Sequence, residues 1–282
     1  MISEVAYYSS IVLGGIIVIL ELIKILCSSS DRQVRKQLDI GSCMTIGSRE
    51  VQEDQFNYLT TEAGVMAVLA DGAGKTFGGR IASRIAVQTC TEIFEDYNAF
   101  NNPQYFFRKA FHCANKEILK AVGDENRGTA SAGCVLIRNK YLYYAVVGNV
   151  KVCVFRENAL VPVSTGHTIA VLAEQRFQEG KIAREEALSL LANHRLYNCL
   201  GKDDFKDIEY FDAPIRLKKN DIVVLMSDGV YELLGYKELE TILGKEQTCQ
   251  QKAFEIIEMV NQDASKQKDN ASILLISVGT EL

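Results

Sequence analysis

The stretch Ile222–Glu232 reads IVVLMSDGVYE, so a run of five apolar residues leads almost directly into an Asp-Gly pair. A short, continuous apolar run of this kind is typical of a buried strand. The carboxylate of Asp228 would then stand at the rim of a packed sheet. Asp-Gly is also a common turn pair, and taken alone the stretch favours a turn that ends a strand. A chemical role for Asp228 therefore depends on whether similar acids occur elsewhere.

Three further acidic pairs do occur, and two of them also adjoin strand-like runs. They are Glu53-Asp54, Asp71-Gly72, which follows Val65–Ala70, and Asp269-Asn270, which opens Ala271–Val278. Carboxylates at strand ends can converge at one edge of a sheet. A site of several oxygen ligands suits Mg²⁺ or Mn²⁺. Zinc prefers nitrogen and sulfur ligands, and the chain has only 3 His. Together, the four pairs predict a site for divalent cations.

The order of elements predicts an α+β fold. Apolar residues at helical spacing indicate two helices, one near residues 82–93 and one near 107–121. Strand-like runs follow at 132–137, 141–147 and 150–155, with Arg138-Asn139-Lys140 and Gly148-Asn149 as the turns between them. Residues 164–205 interrupt the strands with two short polar helices, which we interpret as a flap. A helix pair among hairpin-linked strands favours a layered sandwich over alternating βαβ units.

Composition restricts the partners and the compartment of this chain of 282 residues. The net charge of −5, without a basic stripe, argues against binding nucleic acid. The 8 Cys show no C-x-x-C spacing, which is typical of reduced core residues in a cytosolic domain. His167 and His194 lie in the polar segment, where we expect a surface or capping role.

The N-terminal residues 5–27 predict a single membrane-spanning helix. The segment is long enough to cross a hydrocarbon core if Glu21 and Lys24 lie near one interface. Basic residues follow the segment and none precedes it, so the rest of the chain should be cytoplasmic. The expected organisation is an anchor at 1–27, a tether at 28–38 and one domain at 39–282. The alternative is a buried or interfacial helix of a soluble protein.

The motifs of the body resemble those of the metal-dependent protein phosphatases, the type 2C Ser/Thr phosphatases, over roughly residues 40–279. The most specific are LMSDGVYE at 225–232 and DNAS at 269–272. GKIAREEA at 180–187 and HRLYNCLG at 194–201 resemble the flap pattern of that family. The resemblance implies a four-layer α-β-β-α sandwich with two central, mostly antiparallel sheets.

The resemblance also implies roles for the acidic residues. Asp71 would bridge two Mn²⁺ or Mg²⁺ ions, aided by the carbonyl of Gly72. Asp228 and Asp269 would hold one ion, and Glu53 would support the other. Arg49 would bind the phosphate. Asp54 and Asn270 would lie behind these ligands and support them. Two such ions can activate a water and clamp the oxygens of an in-line displacement. An ion pair of Arg49 with Glu50 or Glu53 is the structural alternative for Arg49.

Two positions depart from the family pattern. Asn149 stands where many members carry an acid that helps to hold a third metal, so a third ion should bind weakly if at all. Ala73 stands where some members place a histidine that is a candidate general acid. A metal-bound water, or no dedicated acid, would then protonate the leaving group.

The resulting expectation is a phosphoserine/phosphothreonine phosphatase tethered to the cytoplasmic face of a membrane. Its substrates would be phosphoproteins, such as a membrane Ser/Thr kinase and its targets, by family analogy. Asn149 and Ala73 leave open a catalytically weak pseudophosphatase that binds a phosphoprotein or another partner. A purely structural Mg²⁺ or Ca²⁺ site is a third interpretation, but it explains Arg49 poorly.

Overall fold

The computed structural model describes Glu21 and residues 38–96, 98–122, 127–191, 195–205 and 207–279, with the backbone alone at Val278. The predicted anchor and tether lie outside these residues, apart from Glu21 and Leu38. Among the residues described, no helix combines the length and the apolar character needed to cross a membrane.

Two antiparallel sheets form the centre of the described domain. The first contains β1 (Leu38–Thr45), β6 (Lys151–Arg156), β7 (Ala159–Pro162), β10 (Ile222–Met226) and β11 (Ala271–Val278). Its order is β1-β11-β10-β6-β7, so the first and last strands of the domain pair along Leu38–Val278 to Thr45–Ala271. The first and last strands of the domain are therefore neighbours in one sheet.

The second sheet carries the remaining strands. They are β2 (Gln55–Thr61), β3 (Gly64–Gly74), β4 (Gly128–Arg138), β5 (Tyr141–Val147), β8 (Glu209–Tyr210) and β9 (Ile215–Arg216). The order is β2-β3-β4-β5-β8, and β9 also pairs with β5. Asn139 and Lys140, both with positive φ, make the predicted tight turn between β4 and β5.

Helices cover the outer face of each sheet. Helices α1 (Gly78–Asp96) and α2 (Pro103–Val122) pack with the second sheet, and Ala99–Asn101 forms a short 3₁₀ turn between them. Helices α6 (Tyr236–Leu243) and α7 (Cys249–Gln262) lie on the first sheet, after the single turn α5 (Asp228–Tyr231). The flap contains α3 (Ile169–Gln178) and α4 (Arg184–Leu190).

Strand β10 shows why the opening stretch is apolar without alternation. Val223 and Leu225 face the core between the two sheets, while Ile222, Val224 and Met226 face α6 and α7. A strand buried on both faces needs apolar residues at successive positions. The predicted α+β sandwich is confirmed, as two antiparallel sheets flanked by helices.

One predicted boundary is wrong. The apolar run Val65–Ala70 does not end at Asp71, because β3 continues to Gly74. Strand β4 pairs with this extension, placing Asp71 opposite Ser131 and Gly72 opposite Ala130. The backbone hydrogen bonds of β4 thus hold Asp-Gly in a strand, where the dipeptide alone favours a turn.

Candidate active site

Three predicted ligands meet at one end of the two sheets. Asp71 lies within the C-terminal half of β3, Asp228 is the first residue of α5, and Asp269 stands two residues before β11. The Ser227 N–H donates to the Ser272 carbonyl at 3.0 Å and the Ser272 N–H donates to the Ser227 hydroxyl oxygen at 2.9 Å, which brings the ends of β10 and β11 together. Residues separated by nearly two hundred positions are therefore neighbours.

Asn270 fixes the loop that carries Glu53 and Arg49 against β11. Its side-chain oxygen accepts the backbone N–H of Glu53 at 2.7 Å, and its Nδ2 donates to the Ile46 carbonyl at 2.8 Å. Asn270 is 4% exposed, so both groups need these partners. The predicted supporting role behind the site fits this geometry.

Arg49 forms an ion pair with Asp269. The Arg49 Nη2 atom donates to Asp269 Oδ2 at 2.6 Å, and both side chains are about half exposed. This hydrogen bond raises the pKa of Arg49, and the charges of Asp269, Glu53 and Asp228 reinforce it. Neither Glu50 nor Glu53 is its salt-bridge partner. The guanidinium thus stands at the site, directly on a predicted metal ligand.

A cavity of about 490 Å³ opens beside this ion pair. The residues around it include Ser48, Arg49, Gly229, Glu232, Lys268 and Asp269. The cavity lies between the loop before β2, α5 with the residues that follow it, and the loop that joins α7 to β11. A phosphate group entering here would meet the guanidinium of Arg49.

Asp54 is fully buried beneath the surface carboxylates. Its Oδ2 accepts a 2.8 Å hydrogen bond from the Ser227 hydroxyl, while its Oδ1 has no hydrogen-bond partner among the described residues. Burial raises the pKa of Asp54 to about 6, against the effect of the Ser227 hydrogen bond. Such a carboxylate can stay charged when a nearby cation compensates for lost hydration.

Burial and neighbouring negative charges also raise the pKa values of Asp71 and Asp228. Burial raises the pKa of Asp71 well above its ordinary value, and the negative charges of Asp228, Asp54 and Asp269 raise it further. The pKa of Asp228 is also raised, by burial and then by Asp269, although hydrogen bonds from Asn149 and with Asp71 oppose this. Three acids kept together at this cost indicate a site for positive charge.

Close glycine packing holds Glu53 and Gly72 together. A Cβ on Gly72 would lie 2.1 Å from the Gly79 carbonyl oxygen, and a Cβ on Gly79 would lie 2.4 Å from Glu53 Oε1. Gly79 is the second residue of α1, and the amides of Arg80 and Gly79 lower a Glu53 pKa that burial raises. Glycine at positions 72 and 79 therefore permits the close approach of β3, the Glu53 loop and the start of α1.

Asn149 contacts the site through its side-chain amide. Its Nδ2 donates to Asp228 Oδ2 at 2.8 Å, and its Oδ1 accepts the Ser131 hydroxyl at 2.7 Å. The Tyr231 hydroxyl donates to the Asn149 carbonyl at 3.0 Å. Sequence reasoning considered this position only as a missing acid. It did not identify the amide as a partner of Asp228.

The donor set fits hard divalent cations in its chemistry. Clustered carboxylates, the backbone carbonyl of Gly72 and the unpaired Oδ1 of Asp54 are oxygen donors, which Mg²⁺ and Mn²⁺ prefer. As the side chains are oriented, no three His, Cys, Asp or Glu of the described residues form a group that could hold a metal ion. Arg49 and Asn149 instead occupy one oxygen each of Asp269 and Asp228.

Ala73 and His167 take no direct part in this cluster of acids. Ala73 is exposed and offers no acid; the nearby Lys75 lies in an exposed loop, and its N–H donates to the Arg127 carbonyl. The surface role offered for His167 is wrong, and its neighbour Thr168, not His167, is the N-cap of α3. His167 is buried, and its Nδ1 accepts the Gly148 N–H at 3.1 Å. His194 lies outside the described residues.

Comparisons with known proteins identify the family of this chain. Residues 44–271 match the family model for protein phosphatase 2C. The serine/threonine phosphatase stp of Listeria monocytogenes is 24% identical over 218 residues, covering 75% of this chain and 83% of that protein.

Solved structures share the fold. A serine/threonine phosphatase of S. agalactiae superposes with a TM-score of 0.73 at 22% identity, covering 86% of this chain and 99% of the other. The catalytic domain of the phosphatase PstP, in complex with two manganese ions, superposes with a TM-score of 0.69 at 19% identity, covering 86% and 99%. The chain belongs to the protein phosphatase 2C family, which confirms its identification as a protein serine/threonine phosphatase.

Proposed function

We propose that this chain removes phosphate from phosphoserine and phosphothreonine in proteins with the help of two divalent cations. The observation that carries the proposal is the convergence of Asp71, Asp228 and Asp269 beside the guanidinium of Arg49. Acids in mutual repulsion suit cations, and a planar guanidinium suits phosphate. Membership of the phosphatase family and the two manganese ions of PstP support the same function.

Glu53, Asp71, the Gly72 carbonyl, Asp228 and Asp269 would hold the ions. When bound, two such ions lower the pKa of a water and neutralise the phosphate oxygens. The raised pKa of Asp71 would fall beside a cation, so that this acid becomes a charged ligand. A third ion remains weakly supported, because Asn149 offers a neutral amide that already contacts Asp228.

Arg49 would bind the phosphate of the substrate. Its guanidinium is partly exposed and borders the cavity, so a phosphate can reach it from solvent. A second N–H of the fork can then pair with another phosphate oxygen. Asp54 and Asn270 would hold the loop and the buried charge behind the ligands without touching substrate.

The leaving group is protonated without a dedicated side chain in this scheme. Ala73 offers no acid at the position where some family members carry histidine, and Lys75 lies in an exposed loop. Solvent or a bound water would supply the proton. The first experiment measures p-nitrophenyl phosphate hydrolysis by the full chain with and without Mn²⁺. Turnover that requires Mn²⁺ and is lost in Asp228→Asn supports the proposal, whereas no turnover with Mn²⁺ rejects it.

A pseudophosphatase is the second candidate, and two contacts favour it. Asn149 and Arg49 each engage a predicted ligand, and the described carboxylates do not form a metal-holding group as oriented. Such a protein would bind phosphoproteins through Arg49 without turning them over. Phosphopeptide binding in the absence of any Mn²⁺-dependent hydrolysis would select this candidate.

We further propose that residues 5–27 anchor the chain in a membrane, with the phosphatase domain on the cytoplasmic side. In that arrangement the tether would enter at Leu38, and β1 would lead from there to Thr45 near the site, about 23 Å away at roughly 3.3 Å per residue. Membrane fractions should retain the full chain and release a variant without residues 1–28. Full-length protein in the soluble fraction would reject the anchor.

A further inference from the structure

A second cavity lies beside the candidate active site, between the flap and α5. Its volume is about 620 Å³, and the residues that line it include Asn149, Lys151, Thr168, Val171, Tyr231 and Glu232. Thr168 caps α3, and Val171 lies in its first turn. The cavity therefore has one wall from the flap and one from the sheet and helix that carry Asp228.

Two residues connect this cavity with the catalytic end. Asn149 lines the cavity and donates to Asp228 Oδ2 at 2.8 Å. Glu232 lines both this cavity and the one that contains Arg49. A peptide whose phosphate reaches Arg49 can therefore place a neighbouring side chain in the second cavity.

Lys151 gives the second cavity its charge. Of the described residues that line it, Lys151 is the one cation and Glu232 the one acid. The Lys151 ammonium lies 3.8 Å from the centroid of the Tyr231 ring, 5.5 Å from that of Tyr236, and 3.5 Å from the Tyr236 hydroxyl. The two tyrosines fix the ammonium in place and partly replace its hydration.

The Lys151 ammonium can nevertheless accept an anionic partner. No carboxylate of the described part of the chain lies within salt-bridge distance of Lys151, although Glu232 is near enough to raise its pKa. Partial burial has the larger effect and lowers the pKa of Lys151. A cation that has lost water without gaining a carboxylate partner is stabilised by an incoming negative charge.

We propose that this cavity binds a substrate side chain next to the phosphorylated residue, and that Lys151 makes an acidic side chain the preferred one. The inference rests on the proposed phosphatase function, and it specifies the substrate class as phosphopeptides with acidic flanking residues. Arg49 would take the phosphate, and Lys151 would take the flanking carboxylate.

The test compares three phosphothreonine peptides, flanked on both sides by Asp, Ala or Lys, with the full chain and Mn²⁺. We expect kcat/KM for the Asp peptide to exceed that for the Ala peptide about fivefold, as for one partly screened ion pair, and the Lys peptide to be poorest. Lys151→Gln should bring the Asp-to-Ala ratio close to one. Taking the ratio removes any loss of catalytic power common to all three peptides.

Two further variants separate charge from packing. Lys151→Arg keeps the charge and should keep most of the preference, while Lys181→Gln removes an exposed flap lysine outside the cavity and should leave the ratio unchanged. The inference is overturned if the wild type shows no preference for Asp, if Lys151→Gln retains it, or if Lys151→Arg loses it as fully as Lys151→Gln. Hydrolysis of all three peptides in equal measure would reject this inference alone. No hydrolysis of any peptide, nor of p-nitrophenyl phosphate, would reject the phosphatase function itself.

Discussion

Asn149 donates a 2.8 Å hydrogen bond to Asp228, and the Ser131 hydroxyl determines which end of the amide faces that acid. Because Ser131 donates to Oδ1, the Nδ2 group is directed at the carboxylate. The contact lowers the pKa of Asp228, which burial and Asp269 raise. The neutral Asn149 therefore reduces the repulsion among the neighbouring carboxylates, whereas an acid at this position would increase it.

The first prediction concerns Asn149→Asp. A carboxylate in this position loses the hydrogen bond to Asp228 and adds a like charge, so we expect a loss of about 1–3 kcal/mol of unfolding free energy in EDTA. Added Mn²⁺ should recover part of the loss, since a cation compensates for the extra charge. Urea unfolding with EDTA and with Mn²⁺ measures both effects.

Ser131→Ala is the matched control for that substitution. It removes the donor that orients the amide but adds no charge, so its loss should be smaller and insensitive to Mn²⁺. Equal stability of Asn149→Asp and the wild type in EDTA would show that the contact with Asp228 has no energetic role.

The second prediction concerns Arg49→Lys. Lysine keeps the charge but cannot present two parallel N–H groups to a phosphate, so kcat/KM for a phosphopeptide should fall about tenfold or more. The free energy of unfolding should change by less than about 1 kcal/mol, since the ion pair with Asp269 is half exposed. Wild-type kinetics in this variant would remove Arg49 from the phosphate site.

The third prediction concerns Gly72→Ala. The new Cβ would stand 2.1 Å from the backbone oxygen of Gly79, and neither strand β3 nor helix α1 can move independently of its sheet contacts. We expect a loss of about 3 kcal/mol or more in urea unfolding.

Gly180→Ala provides the comparison for Gly72. Gly180 also resists a side chain through its φ of +70°, but nothing lies within 4 Å of its Cβ position. Its cost should be about 1 kcal/mol, from the backbone alone. Similar losses in the two variants would contradict the role of close packing at Gly72.

The fourth prediction concerns pH and His167. Burial lowers the pKa of His167, and its Nδ1 must stay unprotonated to accept the Gly148 N–H. The unfolded chain therefore binds a proton more readily, so this contribution to stability is present above a pH of about 6.5 and is lost as the pH falls towards the lower folded-state pKa.

The measurement is the difference in unfolding free energy between the wild type and His167→Asn from pH 7.5 to 5. The difference is necessary because Asp54, whose pKa is raised to about 6, acts with the opposite sign in the same range. The wild type should lose its advantage over His167→Asn as the pH falls. An advantage that grows with acidity would show that the charged form of His167 is the favoured one.

Much of the architecture follows from local pattern. The apolar runs predicted β3 to β6, β10 and β11, and helical spacing predicted α1 and α2 close to where they occur. Strands β1, β2, β7 and β9 were not predicted. β7 is a short edge strand of four residues. In β1, apolar and polar residues alternate only weakly around Gly41. A Cβ at Gly41 would meet the backbone of α7.

Residue types in their order along the chain were sufficient to indicate the family, the candidate cation-binding acids and the candidate anchor at 5–27. Which groups meet in space became clear from the folded chain. Folding extended β3 through Asp71, paired Arg49 with Asp269 and Asn149 with Asp228, buried His167, and placed Lys151 over Tyr231. These contacts join residues from separate strands and loops, and their energies depend on distance and burial, which no local pattern encodes.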